Sequence, residues 1–123
     1  MALSVGRTRS EPTVRAVRDL LADCLSTLPG LLERANLPAL HFYFATFDAP
    51  RRQLFPQALE AYEHFLRYDT LDKLWQIVRE GKERWLATAR ELVALDPAAR
   101  ETALQALLDD TSARAGQAAW RAR

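Results

Sequence analysis

The sequence predicts an all-α fold, a single-domain bundle of five or six helices joined by short turns that proline marks. Apolar residues recur three and four positions apart in most segments, which is the period of an α-helix. Six prolines divide the 123 residues into short stretches. The composition, with 49% hydrophobic and 27% charged residues, is that of an ordinary globular domain.

The longest periodic segment is residues 70–95, and the rest of the bundle is expected to pack around it. Thr70 is a suitable N-cap, and the segment ends at Asp96-Pro97 because the residue before proline avoids helical geometry. Gly81 indicates either a kink or a close helix crossing. Lys82 falls on the apolar stripe, where its stem can pack while its head reaches water. The stripe consists of Leu71, Leu74, Trp75, Val78, Trp85, Ala89 and Leu92.

A first helix is predicted over about residues 12–28, with Asp23 off its apolar stripe and Cys24 on it. Pro29-Gly30 is expected to break this helix, and residues 31–35 then make at most one short turn. The thiol of Cys24 is expected to be buried and inert, because it lies on an apolar face.

Residues 40–47 form the most apolar stretch of the chain. Their alternating aromatic residues are compatible with a strand, but a buried helix is preferred because no second strand exists for pairing. Residues 48–55 are then a connection. A helix follows from Pro56 to about Tyr68, with Leu59, Tyr62, Phe65 and Leu66 as its core face, and the last helix starts at Asp96-Pro97 with Leu104, Leu107 and Leu108 as its stripe.

The two ends of the chain are predicted to lie outside the bundle. Residues 1–11 are expected to be a flexible basic arm, residues 12–110 the helical bundle, and residues 111–123 a basic C-terminal extension. Trp120 in this extension is harder to explain as a core residue, so it is expected to dock on the bundle or to lie in an interface. Phe47 is also predicted to lie in an interface.

Composition and motifs argue against several classes of function. The net charge of +1 gives no overall field that favours nucleic acid or membrane, and no apolar run approaches the length of a membrane span. The single cysteine excludes an internal disulfide and favours a cytoplasmic location. No phosphate loop, nucleophile elbow or Cys-x-x-Cys motif is present, so we expect neither an enzyme nor a cofactor. His64 follows Glu60 by four residues, but the spacing typical of carboxylate-bridged metals is missing, so we expect no metal.

Arginine is the feature that favours nucleic acid. Arginine outnumbers lysine heavily, and its guanidinium suits phosphate binding and base stacking. If the local clusters converge on one face, they form a strip that binds a nucleic-acid backbone. Chosen by charge and position, the candidate contacts are Arg51, Arg52, Arg79, Lys82 and Arg84.

Three segments, residues 28–43, 61–66 and 85–95, carry a family resemblance. Their leucine-proline, tyrosine-to-leucine and alanine-threonine patterns resemble, in the same order, the small helical subunit of type III-B CRISPR effector complexes. That resemblance implies a non-catalytic, antiviral-defence subunit whose copies stack along a ribonucleoprotein filament. It also implies that basic helix faces hold the guide–target duplex or the target strand.

The leading interpretation is therefore a non-catalytic helical subunit of a multi-protein, RNA-handling assembly. Its partners would be other subunits of a ribonucleoprotein complex, and the interpretation leaves room for RNA and for self-association. One alternative is a stand-alone protein-interaction or regulatory module, such as an adaptor or immunity protein, without nucleic acid. A third interpretation is a bundle that binds a small ligand or a metal through His64 and Glu60.

Overall fold

The computed structural model describes the backbone of residues 11–121 and the side chains of residues 11–111. Within this range the chain forms six helices and no strand, which confirms the all-α prediction. No helix of this range is long and apolar enough to cross a membrane. In chain order the helices are α1 (residues 11–33), α2 (Leu37–Ala45), α3 (Ala49–Leu54), α4 (Pro56–Tyr68), α5 (Asp72–Ala94) and α6 (Pro97–Arg121).

Helix α1 passes through Pro29, so the predicted break at Pro29-Gly30 is wrong. The helix is α-helical over Glu11–Ala22, makes a π-helical turn over Asp23–Thr27, and resumes as Leu28–Glu33. In the π turn, the N–H of Leu28 donates to the carbonyl of Asp23, five residues earlier. A proline in a regular α-helix loses one backbone bond and crowds the carbonyl four residues before it. The wider turn directly before Pro29 relieves this conflict, and the helix continues.

The helix preferred for residues 40–47 is confirmed, because most of this stretch lies in α2. The side chain of Asn36 caps α2 by accepting a hydrogen bond from the N–H of Ala39 at 3.3 Å. The predicted connection 48–55 is instead mostly helical, because it contains α3. Asp48 caps α3 by accepting from the N–H of Arg51 at 3.1 Å. Pro50 lies in its first turn, where a proline needs no N–H partner. The Asp-Ala-Pro sequence is thus a helix start that the sequence analysis overlooked.

Helix α5 is central, because it packs against both α1 and α4. Trp85 is fully buried in it and meets the ring of Phe55 edge-on at 5.5 Å. Gly81 marks a close crossing: a Cβ at that position would lie 2.7 Å from the sulfur of Cys24 and 3.0 Å from the ring of Phe55. Lys82 is exposed. The Thr70 hydroxyl accepts from the N–H of Asp72 at 3.3 Å, just before the first turn of α5.

Helix α6 starts where the sequence predicted, and Asp96 caps it by accepting from the N–H of Ala99 at 2.8 Å. Leu104 and Thr111 are buried against the rest of the bundle. The backbone continues without interruption to Arg121, so no break in the helix marks the predicted boundary after residue 110. Residues 1–10 of the predicted arm lie outside the described residues, and so do the side chains of residues 112–123 of the predicted extension, Trp120 included.

Candidate functional site

A group of polar side chains joins α1, α2 and α3 at the π turn, and we call Asp23, Tyr43, Asp48 and Arg51 the Asp23 cluster. One carboxylate oxygen of Asp23, Oδ2, accepts from the hydroxyl of Tyr43 at 2.7 Å and from Nη1 of Arg51 at 2.8 Å. Arg51 also donates Nε to Asp48 at 3.3 Å and Nη2 to the carbonyl of Thr46 at 3.1 Å. A single guanidinium therefore connects three helices.

The aromatic surroundings of Arg51 fix it further. Its guanidinium carbon lies 5.1 Å from the ring centre of Phe47 and 5.6 Å from that of Tyr43, within the range of cation–π attraction. The side chains of Arg51 and Asp23 are 14% and 13% exposed. Since buried charges need partners, this pairing explains how Asp23 is tolerated in the interior, although the sequence analysis placed it off the apolar stripe.

The pKa shifts at this site follow from burial and from the charge of Asp23. Burial raises the pKa of Tyr43, and the carboxylate of Asp23 raises it further. Burial also raises the pKa of Cys24, together with the charge of Asp23, to about 12. For Arg51, burial alone would lower the pKa, but the hydrogen bond and charge of Asp23 outweigh it and the pKa rises. Tyr43, Cys24 and Arg51 therefore keep their protons at neutral pH, and none of the three is a base or nucleophile there.

The predicted nucleic-acid contacts fall into two groups. Arg51 is held inside the Asp23 cluster, and Arg84 packs 4.5 Å above the ring of Trp85 and donates to Thr111 at 3.5 Å. Arg52, Arg79 and Lys82 are exposed. The structure thus separates a set of residues that the sequence analysis had grouped by charge alone.

The exposed charges of α5 do not form a basic strip. This helix exposes four bases and four acids, which alternate along it and leave no net charge on that surface. A nucleic-acid backbone binds to a surplus of positive charge, so this balance weakens the case for a phosphate-binding face on α5. The exposed charged residues are Asp72, Lys73, Arg79, Glu80, Lys82, Glu83, Arg90 and Glu91.

Phe47 is only 3% exposed and packs with Tyr43 and Phe44, their ring centres 5.7 and 5.8 Å away from its own. Phe47 is therefore a core residue and not, as predicted, an interface residue, because its ring lies beneath Arg51 and has almost no surface left for a partner. Phe42, which belongs to the stretch predicted to be a buried helix, is 70% exposed. In α2 the inward positions are Leu40, Tyr43 and Phe44, which leaves Phe42 on the outer side.

We call four side chains of α2 and α4 the aromatic surface: His41, Phe42 and Leu66, which are exposed, and Tyr62, which is partly buried. Nδ1 of His41 and the hydroxyl of Tyr62 are 2.7 Å apart in a hydrogen bond that joins the two helices. Phe42 follows His41 in the chain, and Leu66 lies one helical turn beyond Tyr62 on the same side of α4. Leu66 is 56% exposed, so its assignment to the core face of α4 is wrong.

His64 and Glu60 line a depression of about 260 Å³ between α4 and α5. The ring of His64 packs against that of Tyr68 with centroids 4.6 Å apart. Among the residues with described side chains, no group of three or more His, Cys, Asp or Glu residues is placed to hold a metal ion. The contact that the structure gives His64 is thus the one with Tyr68 on its own helix.

These observations define a small helical bundle whose buried polar cluster serves the fold and whose exposed aromatic side chains lie on α2 and α4. The chain belongs to the family described as "Family of unknown function (DUF6866) C-terminal domain", which matches residues 1–114. No curated protein and no solved structure matches the chain. The family description names no activity, partner or ligand, and it provides no link to the small subunit of type III-B complexes.

Proposed function

We propose that this protein is a non-catalytic, cytoplasmic interaction module that binds a protein partner through the aromatic surface. The observation that carries the proposal is the exposure of Phe42, which presents 70% of its area to solvent on an ordered helix. Aromatic side chains on rigid elements contribute strongly to protein interfaces, because they bury a large area and lose little conformational freedom. Of the interpretations drawn from the sequence, this one corresponds to the adaptor-like alternative.

The scaffold beneath the aromatic surface supports this proposal. The ring of Phe44 stacks on that of Tyr62 with centroids 4.3 Å apart, and Tyr62 in turn holds His41. Arg51 ties the end of α2 to α1 and α3. Phe42 and Leu66 are therefore presented by helices whose relative position is fixed, so binding requires little ordering of the free protein.

RNA handling remains a second candidate function, favoured by the exposure of Arg52, Arg79 and Lys82. In the form implied by the resemblance to type III-B small subunits, the protein partner would be a ribonucleoprotein subunit, and these three bases would contact RNA. Such contacts would release counterions, so binding would weaken steeply with added salt.

Capture of the tagged full-length protein from its native host at low salt tests both candidates. The eluate is analysed for partner proteins and for its 260/280 nm absorbance ratio. Combining Phe42→Ala with Leu66→Ala is expected to reduce the recovered partner by about tenfold, because each substitution removes an exposed apolar side chain from the interface. Leu25→Ala is the matched control, since Leu25 is also an exposed leucine, at 49%, but belongs to α1.

Changing Arg52, Arg79 and Lys82 together to glutamate separates the two functions. The protein-interaction proposal expects the partner to be retained by this variant and RNA to be absent from both eluates. If the variant with alanine at 42 and 66 keeps its partner, while the triple charge reversal removes both RNA and partner, the aromatic surface is not the interface and the RNA-handling function is supported instead.

A further inference from the structure

A groove runs between α1, α5 and α6, on elements separate from the aromatic surface. It is open to solvent and has a volume of about 230 Å³, and for scale a closed cavity of roughly 150 Å³ accommodates benzene. Val93 at its edge is 76% exposed, the highest exposure among the large hydrophobic side chains described. The groove therefore has room for one large apolar side chain. Its lining consists of Val14, Val17, Arg18, Ala89, Leu92, Val93 and Arg100.

The mouth of the groove is basic. Arg18 and Arg100 line the groove itself, and an adjoining depression that shares both of them adds Arg15 and one acid, Glu11. Arg100 is held in place by two backbone carbonyls, since its Nε donates to Leu92 and its Nη2 donates to Leu95, each at 3.1 Å. These bonds leave Nη1 of Arg100 without a hydrogen bond to any residue of the described part of the chain.

Arg15 and Arg18 make no ion pair within residues 11–111. Three guanidinium groups against one carboxylate leave the mouth with a surplus of positive charge. Arginine binds carboxylates through parallel hydrogen bonds, and a guanidinium held in advance loses little freedom when it binds. The groove thus combines an apolar floor with donors that fit an anion.

We propose that this groove binds an acidic peptide segment of a partner protein, in which one large apolar residue is flanked by glutamate or aspartate. The apolar side chain packs against Val14, Ala89 and Val93, which are the accessible apolar residues of the lining, and the flanking carboxylates bind Arg18 and Arg100. This site goes beyond the proposed function, because it lies on other helices than the aromatic surface and specifies the chemistry of the bound segment.

The composition of the chain's own ends argues against either end as the occupant. Residues 1–10 and 112–123 contain no aspartate or glutamate, and they carry Arg7, Arg9, Arg114, Arg121 and Arg123. Segments of the same sign as the mouth are repelled by it. An acidic partner is complementary to the groove, and it would bind faster at low ionic strength than at high.

The test is a titration of the full-length, 15N-labelled protein with short synthetic peptides, followed by amide chemical shifts. The first peptide is acetylated glycine-glutamate-leucine-glutamate-glycine amide. It is expected to give saturable shifts centred on Arg18, Ala89 and Val93. A second peptide with glutamine for both glutamates is expected to bind about tenfold more weakly, because it lacks the charges that the arginines recognise. A third peptide, with alanine for leucine, is also expected to bind about tenfold more weakly than the first, because it lacks the large apolar side chain.

Arg18→Gln is the decisive variant and is expected to weaken binding of the acidic peptide by about tenfold without moving the thermal midpoint. Arg67→Gln, which changes an exposed arginine on α4, is the control and is expected to bind as wild type does. The proposal is overturned if the shifts lie elsewhere, if both charged and neutral peptides bind equally, or if Arg18→Gln has no effect. It is also overturned if no peptide gives saturable shifts, or if octanoate binds more tightly than the peptide, which would make the groove a site for small amphiphilic acids.

Discussion

Arg51 and Arg18 are the same residue type on one small domain, yet their environments differ in every respect. The guanidinium of Arg51 is enclosed by Asp23, Asp48, the Thr46 carbonyl and two aromatic rings. Arg18 lies exposed at the mouth of a groove, and within residues 11–111 it forms no ion pair. The cluster around Arg51 is internally complete, whereas the groove has donors with capacity for a further partner.

The difference shows that arginine content alone is a poor guide to binding. In the sequence, Arg51 and Arg52 read as one basic pair in a connection. In the structure they are consecutive residues of α3, but Arg51 forms an ion pair with Asp23 whereas Arg52 is exposed to solvent. Whether a guanidinium can bind an external anion depends on how many of its N–H groups the protein already uses.

The largest expected effect comes from Arg51→Met, which leaves the carboxylate of Asp23 buried without its cation. Removing one partner of a buried pair typically costs about 3 kcal/mol or more, and we expect a loss of unfolding free energy of about that size. Urea denaturation followed by circular dichroism measures it.

The control for Arg51→Met is a double variant that adds Asp23→Leu. Since this removes both charges, it is expected to recover a large part of the stability lost in the single variant. A loss below about 0.5 kcal/mol in Arg51→Met would show that the pair behaves as a surface ion pair, and the contrast with Arg18 would disappear.

Alkaline pH tests the same cluster with a smaller expected effect. The pKa of Cys24 is raised from 9.0 to about 12 in the folded protein, so above pH 9 the unfolded chain loses this proton first. The native state then binds more protons than the unfolded state, and stability falls as pH rises. The stability that the protonated thiol of Cys24 contributes is fully present below pH 9 and declines up to pH 12. About 1 kcal/mol of unfolding free energy is lost by pH 10.

Tyr43, whose pKa is also raised, contributes a loss of the same sign that begins near pH 10, the ordinary value for tyrosine. The urea midpoint, measured from pH 7 to 10.5, should therefore decrease in two steps, one that starts near pH 9 for Cys24 and one that starts near pH 10 for Tyr43. Cys24→Ala is expected to remove the part that starts near pH 9 and to leave the tyrosine part. A profile that stays flat to pH 10.5 in the wild type would contradict the burial of the thiol next to Asp23.

Much of the fold was predictable from the sequence, because helix periodicity and proline positions are local signals. The spacing of Leu74, Val78, Trp85 and Leu92 correctly indicated the buried face of α5. The continuation of α1 through Pro29 was not predictable in this way, because a π turn has no strong sequence signature. Asp48-Ala49-Pro50 did carry a readable helix start, and it was missed.

The candidate sites were less predictable, because they depend on contacts between residues distant in the chain. The bond between Asp23 and Arg51 spans 28 positions, and no local pattern announces it. Phe42 and Leu66 lie next to core positions in the sequence, so spacing could not tell that they face outward. The groove needs the packing of α1 against α5 and α6, and only the tertiary structure brings Arg18 beside Arg100.

The smallest expected effects distinguish Arg100 from Arg18 within the groove. Arg100 donates to two carbonyls at the C-terminal end of α5, where a positive charge is favourable, so Arg100→Gln is expected to cost about 1 kcal/mol of unfolding free energy. Arg18→Gln removes no such bond, and the expected change is within about 0.5 kcal/mol. Urea denaturation of the two variants side by side measures the difference. Equal losses would mean that Arg18 also stabilises the fold, and its side chain would then lack the free capacity that binding an acidic segment requires.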